Sequence, residues 1–296
     1  MFFNRIKTVF LLAALSGLLL LLGNLFGGAQ GMTFALILAL IMNAILYFFS
    51  DRIVLSVYGA QPLDQHEYPW IYEIVTELAQ TMRIPMPKLW LIRTPMANAF
   101  ATGRSPQHAS VAVTTGILQL LDRHELRGVL AHELAHVKNR DILVATIAAT
   151  MATAIGYLAN MLHHLAFWES VRGDKDRKSG NPIVLILVTI LMPIAATLIQ
   201  LAISRSREYL ADETGAHECH DPLALASALE KLHHHIPQAH LNPENDAQAG
   251  TASLFIVHPF NSSKALSWFS THPPLKSRIE RLQKIFERQV KSGENF

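Results

Sequence analysis

From Thr8 to Ser50 no residue carries a charge, and the run is almost wholly apolar. Gly27-Gly28-Ala29-Gln30-Gly31 interrupts it, leaving two stretches of about the 20 residues that cross a bilayer as a helix. The pattern predicts a transmembrane hairpin over 1–50. Arg5 and Lys7 ahead of the Leu-rich run would also suit a cleaved signal peptide, but the apolar core is long and lacks a small-x-small cleavage site, which favours an uncleaved anchor. Two further uncharged runs, Ile142–Leu162 and Ile183–Ile203, predict a second membrane-embedded hairpin over 142–203, with Pro193 kinking its second arm.

Between the hairpins the period changes. Trp70, Ile71, Ile74, Val75, Leu78 and Met82 recur at helical spacing, so an amphipathic helix is expected over 66–83, ending before Pro85 and Pro87. Leu89–Ile92, Asn98–Thr102 and Ala109–Thr114 read as three short strands, punctuated by Pro95, Gly103 and Pro106. Leu-Asp-Arg-His-Glu-Leu at 121–126 is a helix start, with Asp122 as N-cap and Glu125 as the return half of a capping box. Past 203 a helix is expected through about His235, with the three histidines 233–235 solvated, followed by a Pro- and Asn-rich surface loop over 236–262 that is open to self-cleavage. His272-Pro273-Pro274 then leads into a final amphipathic helix marked by Leu275, Ile279, Leu282 and Ile285. The expected fold is a mainly α membrane protein whose transmembrane helices accompany an α+β domain in two parts, 51–141 and 204–296, with a small sheet in the first.

Composition agrees, since 50% hydrophobic and 16% charged residues are unusual for a soluble protein. The formal charge of +2 gives no reason to expect nucleic acid as a partner, and the single Cys219 excludes an intrachain disulfide. Arg5 and Lys7 ahead of the first hairpin and Arg52 behind it place both its ends inside. The second hairpin does not decide, because Lys138, Arg140, Arg205 and Arg207 at its inner ends are matched by Arg172, Lys175, Arg177 and Lys178 in its loop.

The chemistry centres on His-Glu-Leu-Ala-His at 132–136. On a helix the four-residue step stacks His132 and His136 on one face, where neutral imidazoles can share a zinc ion, and Glu133 lies beside the open coordination position, able to take a proton from water. A third ligand is needed, and Glu208 is the best candidate. Asp212 shares its helical face four residues on, as an outer carboxylate that could fix a ligand histidine's tautomer. One zinc ion per chain follows, although other divalent ions fit such donors. His136 precedes Ile142 by six residues and Glu208 follows Ile203 by five. At about 1.5 Å per residue both ligand sets lie within roughly 10 Å of their apolar segments. The site is therefore expected at the membrane surface, beside a sheet edge that can take an extended peptide by backbone pairing.

These motifs carry a resemblance to a family. His-Glu-Leu-Ala-His with Asn139 and Asp141, Arg-Glu-Tyr-Leu-Ala-Asp at 207–212, Asn-Ala-Phe-Ala-Thr-Gly at 98–103 and His-Pro-Pro at 272–274 together resemble the HtpX-type membrane metalloproteases, relatives of the type I CaaX prenyl proteases. The resemblance implies a zincin-like catalytic domain and zinc-dependent endoproteolysis of misfolded or damaged membrane proteins. It implies a multi-pass protein of a bacterial inner membrane, with the catalytic domain in the cytoplasm, acting in envelope quality control. It also implies that Asn98, Ala99 and Phe100 contact substrate and that His272 and Arg278 flank the site and steady a tetrahedral oxyanion, with His258-Pro259 as a rival His-Pro. The expected partners are polypeptides and the lipid bilayer. A zinc-binding membrane regulator or chaperone that does not cut, a transporter and a prenyl-processing enzyme are the alternatives. Transport fits poorly, since the apolar segments hold only Asn, Gln, Ser, Thr and Tyr as notable polar groups.

Overall fold

The computed structural model describes residues 2–151, 155, 205–235, 256 and 273–292. The second arm of the 142–203 hairpin, its loop, the 236–262 loop apart from Ile256, and both His258 and His272 lie outside the described residues.

Helix α1 (Phe2–Val57) contains the first apolar run and continues seven residues past the expected end of the hairpin. Gly28 breaks it with φ 55° and ψ −141°, a left-handed conformation that costs glycine little. The two halves fold back on one another: Asn43 Nδ2 donates to Ser16 Oγ at 2.8 Å, and Leu11 and Leu15 share a core with Leu46. Only the second half, Gly27–Val57, is long and apolar enough to cross a membrane among the described helices; the apolar part of the first half, Ile6–Leu21, is shorter.

Four strands follow: β1 (Gln61–Pro62), β2 (Lys88–Ile92), β3 (Ala99–Gly103) and β4 (Ala109–Thr114). They form one sheet in the order β1-β2-β4-β3, with β2 and β4 parallel and the other two pairings antiparallel. Strand alternation assigns the two faces. Leu89, Leu91, Ala99, Ala101, Val111 and Val113 pack into the main core, whereas Ile92, Phe100 and Ala112 cover Val54 and Leu55 at the end of α1. The apolar anchor thus passes into the folded domain without a linker. Strand β1 was not foreseen, because two exposed residues, one of them proline, leave no alternating pattern.

The helices pack around the other face of the sheet. Helix α2 (Pro69–Met82) buries Ile71, Ile74, Val75, Leu78 and Met82, as its spacing predicts. A short α3 (Thr115–Leu120) leads to α4 (Arg123–Asn139), which is buried along most of its length. The capping box is present: Asp122 Oδ1 accepts the Glu125 N–H at 2.9 Å and Glu125 Oε2 accepts the Asp122 N–H at 3.0 Å. Glu125 also accepts from Ser227 at 2.7 Å and Lys231 at 2.8 Å, so one carboxylate starts α4 and ties it to α7 (Pro222–His234). Helix α5 (Ile142–Met151) is the described part of the second apolar hairpin. Helix α6 (Arg205–Cys219) crosses α4 at Gly215, where an added Cβ would come within 2.9 Å of the His132 N atom. Glycine permits this close approach, and the approach carries α6 onto the His-Glu-Leu-Ala-His face. Helix α8 (Leu275–Ser292) closes the bundle through Leu282.

Candidate metal centre

Three donors converge where α4 meets α6. His132 Nε2 and His136 Nε2 lie 3.1 Å apart, and Glu208 Oε2 and Oε1 lie 3.7 Å and 3.5 Å from them respectively. Ligands about 2.0–2.1 Å from one tetrahedral ion sit about 3.3 Å from each other, so this triangle fits a single metal of zinc size. Among the described residues these are the three His, Cys, Asp or Glu side chains grouped closely enough to hold one ion.

The outer nitrogens are each held by a carboxylate. His132 Nδ1 lies 3.0 Å from Asp212 Oδ1, and His136 Nδ1 lies 3.1 Å from Asp141 Oδ2. With a metal bound, a proton on the Nδ1 facing each carboxylate would leave the Nε2 lone pair for the ion. Asp212 stands beside a ligand histidine, where its spacing from Glu208 puts it; Asp141 is legible in the sequence only as part of the family motif. It reaches His136 because Arg140 adopts the left-handed conformation that ends α4, with φ 57°, and turns the chain back beneath the last helical turn. A carboxylate two residues past a helix end was the available signal.

Charge in the pocket favours a cation. Burial holds the His132 imidazole below its ordinary range against the pull of Asp212, so it is neutral and a competent donor. Burial would also lower His136, but Asp141, Glu208 and Glu133 outweigh it and carry the ring up to about 10. Burial lifts the Glu133 carboxyl to about 8, with Glu208 adding to the rise and His136 and the Ala101 N–H opposing it. The carboxylates gathered round His136 are what keep its proton on, and a divalent ion at the same place would answer that negative charge.

Glu133 lies on the β3 side of this triangle. Its Oε2 accepts the Ala101 N–H at 2.9 Å. Asn98 and Thr114 pair through Thr114 N–H to Asn98 O at 3.0 Å, so alternate residues Ala99, Ala101 and Gly103 turn their backbone groups to the outer edge of β3. Gly103 N–H meets Thr146 Oγ1 of α5 at 3.4 Å, which closes that end of the edge.

The remaining expected site residues divide. Arg278 forks onto Asp212 through Nε at 2.8 Å and Nη2 at 2.6 Å, and its Nη1 donates to Ile256 O at 3.0 Å. Its charge is therefore committed to Asp212, one step behind His132, rather than aimed at a reacting oxygen. Asn98 Oδ1 accepts the Ile256 N–H at 3.4 Å, so this side chain serves an internal backbone amide. Phe100 turns its ring to the opposite face of the sheet, against Val54 and Leu55, where it cannot contact a peptide at the metal centre. Ala99 presents main chain at the edge while its side chain is in the core.

Two histidines and a glutamate fitted to one ion, with a further buried glutamate beside them, define a metal-dependent hydrolase. Residues 65–286 match Peptidase family M48; the chain belongs to that family and is a metalloprotease of the HtpX type. It is 50% identical over 299 residues to "Protease HtpX homolog" of Sulfurihydrogenibium sp. (strain YO3AOP1), covering 99% of each chain. It is 52% identical over 272 residues to the protein of that name from Aquifex aeolicus (90% of this chain, 88% of that one) and 52% identical over 282 residues to that from Pyrococcus furiosus (95% of each). The crystal structure of S. mikatae Ste24p superposes with a TM-score of 0.51 at 16% identity, covering 95% of this chain and 66% of that one, which shows a shared fold.

Proposed function

We propose that this protein is a membrane-anchored zinc endopeptidase that cuts misfolded or damaged membrane proteins at the cytoplasmic face of a bacterial inner membrane. The observation that carries the reading is the His132–His136–Glu208 triangle with Glu133 beside it, reached from the edge of β3. His132, His136 and Glu208 would hold Zn²⁺, which would supply Lewis acidity toward a peptide carbonyl and toward water.

The chain's own residues do the rest. Glu133 accepts the proton of the attacking water and delivers it to the departing amine. Asp212 and Asp141 hold the two imidazoles in the donor tautomer, and Arg278 keeps Asp212 ionised and oriented. The outer edge of β3 stands where an extended peptide would pair, and backbone pairing suits a protease that reads conformation more than side chains. The cytoplasmic assignment rests on Lys7 and Arg52, which flank an otherwise uncharged hairpin.

The test is cleavage of casein and of an unfolded membrane protein by detergent-purified enzyme, with chelator, with zinc restored, and with Glu133→Gln. Zinc-restored cleavage absent from the variant is the expected result. Equal cleavage by Glu133→Gln would remove that residue from the role assigned to it.

A further inference from the structure

Near its end α1 changes from a lipid-type surface to a domain core within about two turns. Tyr47, Phe48 and Phe49 are 39%, 52% and 45% exposed, whereas Val54 and Leu55 are 0% and 5% exposed beneath the sheet. A tyrosine at the end of an apolar span settles at the level of the lipid headgroups, which places Tyr47, and the rings of Phe48 and Phe49 next to it, at the edge of the hydrocarbon. Two guanidinium groups stand over these rings: Arg52 Cζ lies 5.5 Å from the Phe49 centroid and Arg104 Cζ lies 5.4 Å from that of Phe48. Arg104 arrives from a different part of the chain, as the residue after Gly103 at the end of β3. Asp51 is the neighbouring acid, yet among the described residues neither arginine is paired with a carboxylate.

We propose that Arg52 and Arg104 form a site for the phosphate of an anionic phospholipid headgroup, at the foot of the strand that borders the catalytic cleft. A guanidinium within cation–π reach of a ring, and paired with no carboxylate, keeps its N–H groups for an oxyanion contact. The occupant is a lipid because the rings beneath are exposed at the end of the apolar span Gly27–Val57, whose Phe34, Ile37, Leu40 and Ile41 are also exposed. At the opposite bend, Gly23 to Gly31, no residue is charged.

The consequence for the enzyme is geometric. Arg104 follows Ala101 by three residues, which is about 10 Å of extended chain at roughly 3.4 Å per residue. A headgroup held by Arg104 therefore fixes the Glu133-facing part of β3 within about 10 Å of the bilayer surface, where it meets segments just emerging from the membrane. This proposal rests on the membrane-anchored reading above.

The experiment titrates purified full-length protein in mixed micelles with phosphatidylglycerol against phosphatidylcholine and counts bound lipid by native mass spectrometry. The parent should prefer phosphatidylglycerol. Arg52→Gln and Arg104→Gln should each reduce that preference about five-fold, and the double variant about twenty-five-fold, since a basic residue near an anionic surface contributes about that factor. Arg104→Lys, which keeps the charge without the planar fork, should fall between Arg104→Gln and the parent. A parent that holds both lipids equally, or a double variant that keeps the parent's preference, overturns the site. Arg52→Gln, on an exposed helix surface, decides alone if the double variant does not fold. Lipid counting does not depend on catalysis, so loss of the peptidase reading through inactive parent enzyme would leave this result standing, and the reverse also holds.

Discussion

Asp212→Asn separates what the buried ion pair does for folding from what it does for the metal. Asp212 and Arg278 are both 2% exposed, and the pair is bidentate at 2.8 Å and 2.6 Å. Burial would raise the Asp212 carboxyl, but Arg278 and His132 hold it below its ordinary range, and Arg278 cannot shed its own proton. Neutralising Asp212 therefore leaves a buried guanidinium without its hydrogen-bonded counter-charge, which costs about 3–5 kcal/mol. The same change removes the charged acceptor from His132 Nδ1, and loss of such an outer partner lowers metal affinity about 10- to 100-fold, or about 1.4–2.7 kcal/mol. Adding Arg278→Met removes the stranded charge, so the double variant should recover stability to within about 1–2 kcal/mol of the parent. Zinc affinity should stay low. Thermal unfolding in detergent and competition with a chromophoric zinc chelator read the two effects separately. Parent-like zinc affinity in Asp212→Asn would refute the role given to Asp212, and a double variant no more stable than the single would refute the stranded-charge argument.

Glu133→Gln should bind zinc as the parent does and lose about 10²- to 10⁴-fold in kcat, measured with a fluorogenic peptide beside metal analysis. Gly215→Ala puts a methyl group 2.9 Å from the His132 N atom and must push α6 from α4, so it should cost about 1–3 kcal/mol and loosen zinc by displacing Glu208; parent-like metal affinity would contradict the close approach. Glu125 is pulled up by burial but held net below its ordinary range by Lys231, Ser227 and the Asp122 N–H. Its contribution is therefore complete above about pH 4.3 and is lost as pH falls through the lower folded value. Acid unfolding of Glu125→Gln should lack that component, while an unchanged acid limb would remove Glu125 from the balance.

Much of this arrangement is local and therefore readable from order alone. A four-residue step puts His132 and His136 on one face of any α-helix, and Asp122 with Glu125 announces where that helix begins. Alternation marks β2, β3 and β4, and the long uncharged run marks the anchor. Glu208 and Asp212 could be proposed from donor chemistry and helical spacing, since a metal held by two histidines needed a third ligand and an outer carboxylate. The family motifs then narrowed the activity.

Other features depend on chain segments far apart in sequence. That Arg278 reaches Asp212, and not an oxyanion, is set by where α8 docks, 66 residues away. Phe100 could face the cleft or the anchor, because a strand offers both sides, and the packing of Val54 and Leu55 on the sheet chose the anchor. Asp141 needed the left-handed turn at Arg140, and Glu133 found its donor in Ala101, 32 residues back. Spacing along one helix decides which side chains share a face; only the packing of α4, α6, α8 and β3 together decides what each of those faces meets.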